Sequence, residues 1–121
     1  MRITRITLEN IKSYSDETSI RFEQGVNLIK GENGAGKSTI LEAIGYALFG
    51  SLPYKGKDFI RLGQKKGQIF VSFTGYDGRE YSVVRDVSTT SSNNAVKVYD
   101  EETGGIHADG TDNVIECLRE L

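Results

Sequence analysis

The chain has 121 residues, which is enough for one domain with a hydrophobic core and too few for two domains of ordinary size. Its net charge of -2, with 26% charged and 9% aromatic residues, gives no compositional indication of nucleic-acid or membrane binding. A single cysteine excludes an internal disulfide, and no run of about eighteen apolar residues predicts a membrane span, so we expect a cytoplasmic protein with no membrane partner.

The first half of the chain shows the patterns of three strands and a helix. Residues 3 to 11 and 18 to 23 alternate apolar with polar side chains, which predicts two strands joined by a polar loop. Residues 26 to 30 are nearly all apolar, as in a strand covered on both faces, and lead directly into a glycine-rich segment. From residue 37 to 49 apolar residues recur at helical spacing, and Gly50 follows where helices often end in a left-handed residue.

The second half is predicted to be mainly β structure. Residues 51 to 66 contain the only proline and are assigned to a loop with at most a short turn of helix. Residues 68 to 75 and 80 to 87 alternate around Asp77-Gly78, which predicts a β-hairpin. A short strand over residues 95 to 99 is followed by a turn at 103 to 105, and residues 113 to 121 place apolar side chains on one face of a final helix.

Charge is distributed unevenly along the chain. Residues 54 to 66 hold five basic side chains against one acid, whereas residues 100 to 121 hold seven acids and one arginine. Such runs are usually solvated surface. A DNA-binding patch over residues 55 to 66 is the alternative interpretation of the basic run.

The glycine-rich segment matches a phosphate-binding loop. Residues 31 to 38 read Gly-Glu-Asn-Gly-Ala-Gly-Lys-Ser and satisfy the pattern G-x-x-x-x-G-K-[ST], with the required strand before and helix after. Glycines let the backbone bend around a phosphate, and the unpaired N–H groups and dipole of the first helical turn attract the anion. Lys37 is predicted to bind the β and γ phosphates, Ser38 to ligate Mg²⁺, and Thr39 to contact the α phosphate. A glycine turn that binds nothing is the alternative, and the flanking strand and helix argue against it.

Hydrolysis needs more than this loop. A P-loop ATPase also needs an acid on a second strand to hold Mg²⁺ and a group that orients the attacking water. The only candidate is the run from Val96 to Glu101, but Lys97 interrupts its apolar residues and a hairpin turn at the following glycines is the simpler interpretation. No Asn-Lys-x-Asp motif is present, which disfavours guanine nucleotides and favours ATP. We therefore expect the segment to bind nucleotide without turnover, with no complete catalytic set of its own.

Three stretches of the sequence resemble one family. They are Ile-Thr-Leu-Glu-Asn-Ile-Lys-Ser-Tyr near the start, the phosphate loop with its flanks from Gly25 to Gly50, and Phe-Ile-Arg-Leu-Gly at residues 59 to 63. Together they resemble the Rad50 family of DNA double-strand-break repair ATPases, within the superfamily of structural-maintenance-of-chromosomes (SMC) proteins and ABC ATPases. The hairpin over residues 69 to 87 also looks like the N-terminal lobe of that family. The resemblance implies an α/β P-loop NTPase fold: the N-terminal lobe of an ABC-type ATPase head, with a mixed sheet and an antiparallel β subdomain around the P-loop helix.

The resemblance also implies parts and partners beyond these residues. In the family, the polypeptide continues into a coiled coil with a Zn²⁺-binding apex and returns to a C-terminal lobe that carries the signature motif and the second acidic strand. Residues 1 to 121 would then be a fragment of a larger ATPase. Two heads clamp two ATP molecules, and this closure regulates DNA binding and a nuclease. The implied partners are the protein's own C-terminal lobe, a second copy of the head, an Mre-type nuclease and double-stranded DNA. The implied location is the chromosome, in the cytoplasm or, in a eukaryote, in the nucleus.

Further nucleotide contacts follow from the resemblance alone. Lys12 and Ser13 match a loop that touches the nucleotide, although arginine is usual at the place of Lys12, so a point charge is expected there instead of a fork-shaped contact. Residues 60 to 62 match a segment that approaches the base; otherwise Ile60 and Leu62 belong to a small core. The predicted cofactor-binding residues are thus Lys12, Ser13, Asn33, Gly34, Ala35, Gly36, Lys37, Ser38, Thr39, Ile60, Arg61 and Leu62, with Ser38 as the Mg²⁺ ligand.

Two other classes of function stay open. One is a different ATPase of the same superfamily, such as a chromosome-condensing protein, a recombination mediator or an ABC transporter subunit. The segment over residues 59 to 63 and the absence of an aromatic residue at the transporter spacing argue against these. A bacterial exonuclease subunit, which is nearly as similar over residues 34 to 50, also stays open. The other is a self-contained P-loop kinase or nucleotide-binding module. A kinase would need an arginine-bearing lid and an acceptor pocket, and the sequence shows neither.

Overall fold

The computed structural model describes residues 1–11, 18–22, 35–50, 59–60, 63–88 and 95–121, and the structural statements that follow concern these residues. In chain order they form eight elements: β1 (Arg2–Glu9), β2 (Thr18–Arg21), α1 (Ala35–Phe49), β3 (Lys66–Thr74), β4 (Glu80–Ser88), β5 (Val96–Asp100), β6 (Ile106–Asp109) and α2 (Thr111–Glu120). The predicted strand over residues 26 to 30 lies outside the described residues, as does most of the predicted loop over residues 51 to 66.

Within the described ranges the strands form one sheet in the order β2-β1-β3-β4-β5-β6. Every neighbouring pair is antiparallel, and β3 and β4 are joined by the predicted hairpin. The antiparallel β subdomain implied by the resemblance is therefore confirmed. The mixed character predicted for the sheet depends on residues 26 to 30, of which nothing is described.

One face of the sheet carries the hydrophobic core. Because side chains alternate between the two faces of a strand, residues in direct register share a face. A continuous apolar row crosses all six described strands on this face: Ile20, Ile6, Val71, Val83, Val98 and Ala108. Helix α1 packs against β3 and β4 and buries Ile40, Ala43 and Ala47 in the same core. This packing fixes the glycine-motif helix across the middle of the sheet.

Several boundaries differ from the prediction for local reasons. Strand β1 ends at Glu9, two residues early, because Asn10 has a left-handed backbone with φ 53°. Helix α1 begins at Ala35, two residues earlier than residue 37, where the apolar periodicity predicted its start. The prediction missed β6, whose residues Ile106–Asp109 are largely exposed and so show no apolar alternation. Helix α2 begins at Thr111, where the sequence placed its start at residue 113.

The two predicted turns are confirmed. Gly78 has φ 81° and donates its N–H to the carbonyl oxygen of Gly75 at 3.0 Å. Gly104 has φ 74° and donates to the carbonyl oxygen of Asp100 at 2.8 Å. Both positions favour glycine because other residues rarely adopt positive φ. Neither of the two described helices is long and apolar enough to cross a membrane.

Candidate nucleotide-binding site

The phosphate motif meets helix α1 at its N-terminus. The helix starts at Ala35, so the backbone of Ala35, Gly36, Lys37 and Ser38 forms its first turn. The first four N–H groups of a helix have no partner within the helix and can receive an anion. No acidic residue lies in this turn to compete for them. Asn33 and Gly34 fall outside the described residues, and the side chains of residues 35 to 38 are likewise not described.

Thr39 lies on the core side of the helix. Its exposed fraction is 1%, and it is followed by the core residue Ile40. The remaining helix is apolar on most of its circumference, and two of its large apolar side chains, Leu41 and Phe49, are exposed among the described residues. The predicted contact between Thr39 and the α phosphate stays a prediction.

Two described residues, one beside and one within the segments that the family resemblance assigned to the nucleotide, come together in space. Ile11, the residue before Lys12, forms an antiparallel β-bridge with Ile60. Both bridge residues are buried, and Phe59 beside them is fully buried. Ile60 therefore has the core role that the sequence left open, and its approach to the base stays a prediction. Lys12, Ser13, Arg61 and Leu62 lie outside the described residues.

A glycine makes this close approach possible. A Cβ atom on Gly67 would lie 2.8 Å from Cδ1 of Ile11 and 3.0 Å from the carbonyl oxygens of Asn10 and Glu9. The first distance is one that real Cβ atoms essentially never show, and the other two are tighter than nine in ten real Cβ contacts. Gly67 thus lets the chain after β1 pass directly over β3 toward Ile60. The sequence alone predicts no role for this glycine, because a glycine within a strand indicates a close approach but not which residues approach it.

The C-terminal end of α1 is held by the predicted Gly50 and by Arg85, for which the sequence predicted no role. Gly50 has φ 69° and donates its N–H to the carbonyl oxygen of Tyr46 at 2.8 Å, which confirms the predicted left-handed helix end. Arg85 of β4 donates its Nε–H to the carbonyl oxygen of Ala47 at 3.2 Å. The available signal was an arginine at an inward position of β4, between the buried residues Val83 and Val87.

The acidic run that begins at the last residue of β5 leads into a hairpin turn, as the simpler interpretation predicted. Strand β5 pairs with β6 through the turn, and Asp100 accepts hydrogen bonds from Nη2 of Arg79 at 2.5 Å and from the backbone N–H of Glu102 at 2.9 Å. The Arg79 hydrogen bond holds the pKa of Asp100 below its ordinary value. The carboxylate of Glu101 accepts hydrogen bonds from the hydroxyls of Ser72 and Ser82. Both acids are thus engaged in the sheet and its turns.

Comparison with known proteins places the chain in a family. A family model described as an AAA domain matches residues 5–118. The chain belongs to this AAA domain family. The match spans β1 to α2 and includes the glycine motif, so the recognised residues and the described fold coincide.

Relatives with curated names confirm the resemblance found in the sequence. The chain is 39% identical over 103 residues to the "DNA double-strand break repair Rad50 ATPase" of Methanopyrus kandleri, covering 85% of this chain and 12% of the relative. It is 43% identical over 94 residues to the protein of the same name from Thermoplasma acidophilum, covering 77% of this chain and 10% of the relative. The chain therefore spans only about a tenth of the length of these relatives.

Solved structures confirm the fold class. The recombination mediator protein RecF with ATP matches with a TM-score of 0.72 and 24% identity, over 86% of this chain and 28% of that chain. The SMC head domain from Thermotoga maritima matches with a TM-score of 0.70 and 23% identity, over 98% of this chain and 41% of that chain. The chain has the fold of the N-terminal lobe of a P-loop ATPase head.

Proposed function

We propose that the chain is the ATP-binding lobe of a DNA double-strand-break repair ATPase. The observation that carries this proposal is the start of α1 at Ala35, inside the motif G-x-x-x-x-G-K-[ST]. Lys37 and Ser38 then belong to the first helical turn, where unpaired N–H groups and the helix dipole favour a phosphate. The names of the relatives support the repair role.

Each motif residue is assigned to a different part of the nucleotide. The backbone from Asn33 to Gly36 would hold the phosphates, the Lys37 ammonium would neutralise charge on the β and γ phosphates, and the Ser38 hydroxyl would ligate Mg²⁺, which would supply further positive charge there. Thr39 is assigned to the α phosphate. Lys12 and Ser13, with the segment from Ile60 to Leu62, are proposed to approach the rest of the nucleotide, and the bridge between Ile11 and Ile60 supports a common location for them.

Catalysis is proposed to require the rest of the protein. The described acids after β5 are bonded to Arg79, Ser72 and Ser82, which supports the view that this segment binds ATP without turning it over. We propose that residues 1–121 are one lobe of a head whose C-terminal lobe supplies the second acidic strand. Two heads closing on ATP would regulate binding of double-stranded DNA and an Mre-type nuclease, and Zn²⁺ would bind only at the coiled-coil apex.

A direct test is the affinity of the full-length protein for Mg-ATP. We expect Lys37→Ala to weaken binding about 10- to 100-fold, because it removes a charge-assisted contact of roughly 1.5–3 kcal/mol. Lys97→Ala is the matched control, since Lys97 pairs with Val84 on the sheet face opposite to α1 and should leave affinity unchanged. Equal Mg-ATP affinity in wild type and Lys37→Ala would contradict the proposal.

A second candidate is a recombination mediator of the same fold, which the match to RecF favours. The two candidates differ in what accompanies the head in the full-length protein. A long heptad-repeat segment interrupted by Cys-x-x-Cys supports the repair ATPase. A head without such a segment supports the mediator.

A further inference from the structure

Arg85 is a buried cation on the inward face of the sheet. Its exposed fraction is 4%, and its neighbours across the sheet in direct register are Ile69 and Val96. Nη2 of Arg85 is a buried atom without a hydrogen-bond partner, and no ion pair to an acid is found for this guanidinium among the described residues. Burial lowers the pKa of Arg85, with the nearby Tyr46 opposing this in part. Taking such a charge out of water costs several kcal/mol unless other groups compensate it.

Among the described residues, the groups that compensate this charge lie at the C-terminal end of α1. Nε of Arg85 bonds to the carbonyl oxygen of Ala47, and Cζ lies 5.3 Å from the centre of the Tyr46 ring, within cation–π distance. Nη1 lies 3.4 Å from where a Cβ atom of Gly50 would be. The last turn of α1 contains no basic residue of its own. Arg85 therefore places a positive charge at the negative end of the helix dipole, where the helix has no basic residue of its own.

The same contacts connect α1 to Phe59 and Ile60, which lie against the end of the chain after β1. The Tyr46 ring meets the ring of Phe59 edge to face, with centroids 6.1 Å apart. Phe59 precedes Ile60, which forms the β-bridge with Ile11. Arg85 thus lies against Tyr46 at the point where the helix, the central strand β4 and this segment meet.

We propose that Arg85 is a positioning residue for nucleotide binding, which acts by fixing the C-terminal end of α1 against β4. The helix is 15 residues long and so extends for about 22 Å. A rotation or shift allowed at one end of this rigid element displaces the phosphate-binding turn at the other. The inference rests on the proposed function, because it assigns to Arg85 an effect on the ATP that binds at the first turn.

The test uses the full-length protein with Arg85→Met, which keeps an unbranched side chain and removes the charge and the donors. We expect Mg-ATP affinity to fall about 10-fold or more, as for small misplacements of a binding group. Arg85→Lys keeps the charge without the planar guanidinium group, and its Mg-ATP affinity should lie between those of wild type and Arg85→Met. Arg79→Met is the matched control, since Arg79 is partly exposed, pairs with Asp100 and Glu102, and should leave Mg-ATP affinity unchanged.

A second readout separates positioning from a general loss of stability. Hydrogen exchange is measured without nucleotide at the amides of residues 39 to 42, which bond to the carbonyl groups of the first turn of α1. We expect Arg85→Met to speed exchange there as well as at the last turn. Faster exchange confined to residues 46 to 50, with unchanged Mg-ATP affinity, would overturn the inference and leave Arg85 a local stabilising residue.

The remaining outcomes are also decisive. If Arg85→Met does not fold, Arg85→Lys is judged by the same exchange measurement, with faster exchange at residues 39 to 42 supporting the inference and wild-type exchange overturning it. If the wild-type protein does not bind Mg-ATP, the proposed function fails. The positioning of the helix by Arg85 is then judged by exchange at residues 39 to 42 alone.

Discussion

Two neighbouring rows of side chains cross the sheet on opposite faces. The inward row is Ile20, Ile6, Val71, Val83, Val98 and Ala108, and the outward row, displaced by one residue on most strands, is Arg21, Arg5, Ser72, Ser82, Tyr99 and Ile106. The first row is apolar throughout, whereas the second begins with two arginines in direct register, continues with three hydroxyl side chains and ends at the exposed Ile106. The backbone pairing is shared, so the difference between the faces comes from side chains alone.

The comparison shows two ways of stabilising one sheet. On the inward face the side chains of Ile6, Val71 and Val83 are fully buried, and stability comes from apolar area removed from water. On the outward face Ser72 and Ser82 are also nearly buried, but their hydroxyls are bonded to the carboxylate of Glu101. Burial of polar groups is tolerated there because each has a partner.

The largest expected effect is on the inward face. Phe73 is fully buried and stacks on Tyr81 with ring centroids 5.6 Å apart. We expect Phe73→Ala to lower the free energy of unfolding by about 3–5 kcal/mol, since it removes buried area and leaves a cavity. Phe70→Ala is the matched control on the same strand, because Phe70 points outward and is only half buried. If denaturant unfolding gave similar losses of unfolding free energy for the two variants, the greater contribution of the inward face to stability would be contradicted.

A smaller effect is expected from the hydroxyl network of the outward face. Ser82→Ala removes one of the two serine donors to Glu101 and should lower the free energy of unfolding by about 1 kcal/mol. The same substitution in a Glu101→Ala background should cost less, since the shared hydrogen bond is already lost. Strictly additive effects in this double-mutant cycle would show that the two side chains are not coupled.

The smallest effect concerns Tyr81, an inward residue whose hydroxyl reaches the hairpin turn. It donates to the carboxylate of Asp77 at 2.6 Å, which raises the pKa of Tyr81 to about 12 and lowers the pKa of Asp77. The tyrosine contribution to stability is complete below its ordinary pKa of 10.0 and is lost as pH rises toward 12, and the aspartate contribution is lost as pH falls below its ordinary pKa of 3.8.

Spectroscopic titration checks this pair. We expect Tyr81→Phe to remove the tyrosinate absorbance step near pH 12 and to return the pKa of Asp77, followed by NMR, toward 3.8. Tyr76→Phe is the control, because Tyr76 is 84% exposed and should leave both values unchanged. An unaltered Asp77 titration in Tyr81→Phe would show that the hydrogen bond does not form in solution.

Much of this fold could be predicted because its patterns are local. The alternation over residues 68 to 87 and the Asp77-Gly78 turn identified the hairpin, and the helical spacing up to Phe49 with Gly50 identified α1 and its end. Strand β6 was missed because it is held by pairing with β5, and its exposed residues carry no periodic signal. Its register depends on a partner strand, and the periodicity of one segment carries no information about its partner.

The site could be predicted only in its first part. The phosphate motif is contiguous, so its position at the start of a helix follows from the sequence. Arg85 and Gly67 act on residues distant along the chain, on Ala47 and on Ile11 respectively, and only the fold brings these pairs together. An inward-facing arginine in a strand is nevertheless a signal that can be sought in other sequences.

We propose that residues 31 to 39 hold ATP and Mg²⁺ and that catalysis needs groups beyond this chain. The most direct measurement is a Mg-ATP titration of the 121-residue chain alone, with phosphate release followed in the same sample. We predict saturable binding that Lys37→Ala weakens at least about 10-fold, with phosphate release at the level of the protein-free control. Robust hydrolysis by the chain alone, or binding that does not depend on Lys37, would contradict the account.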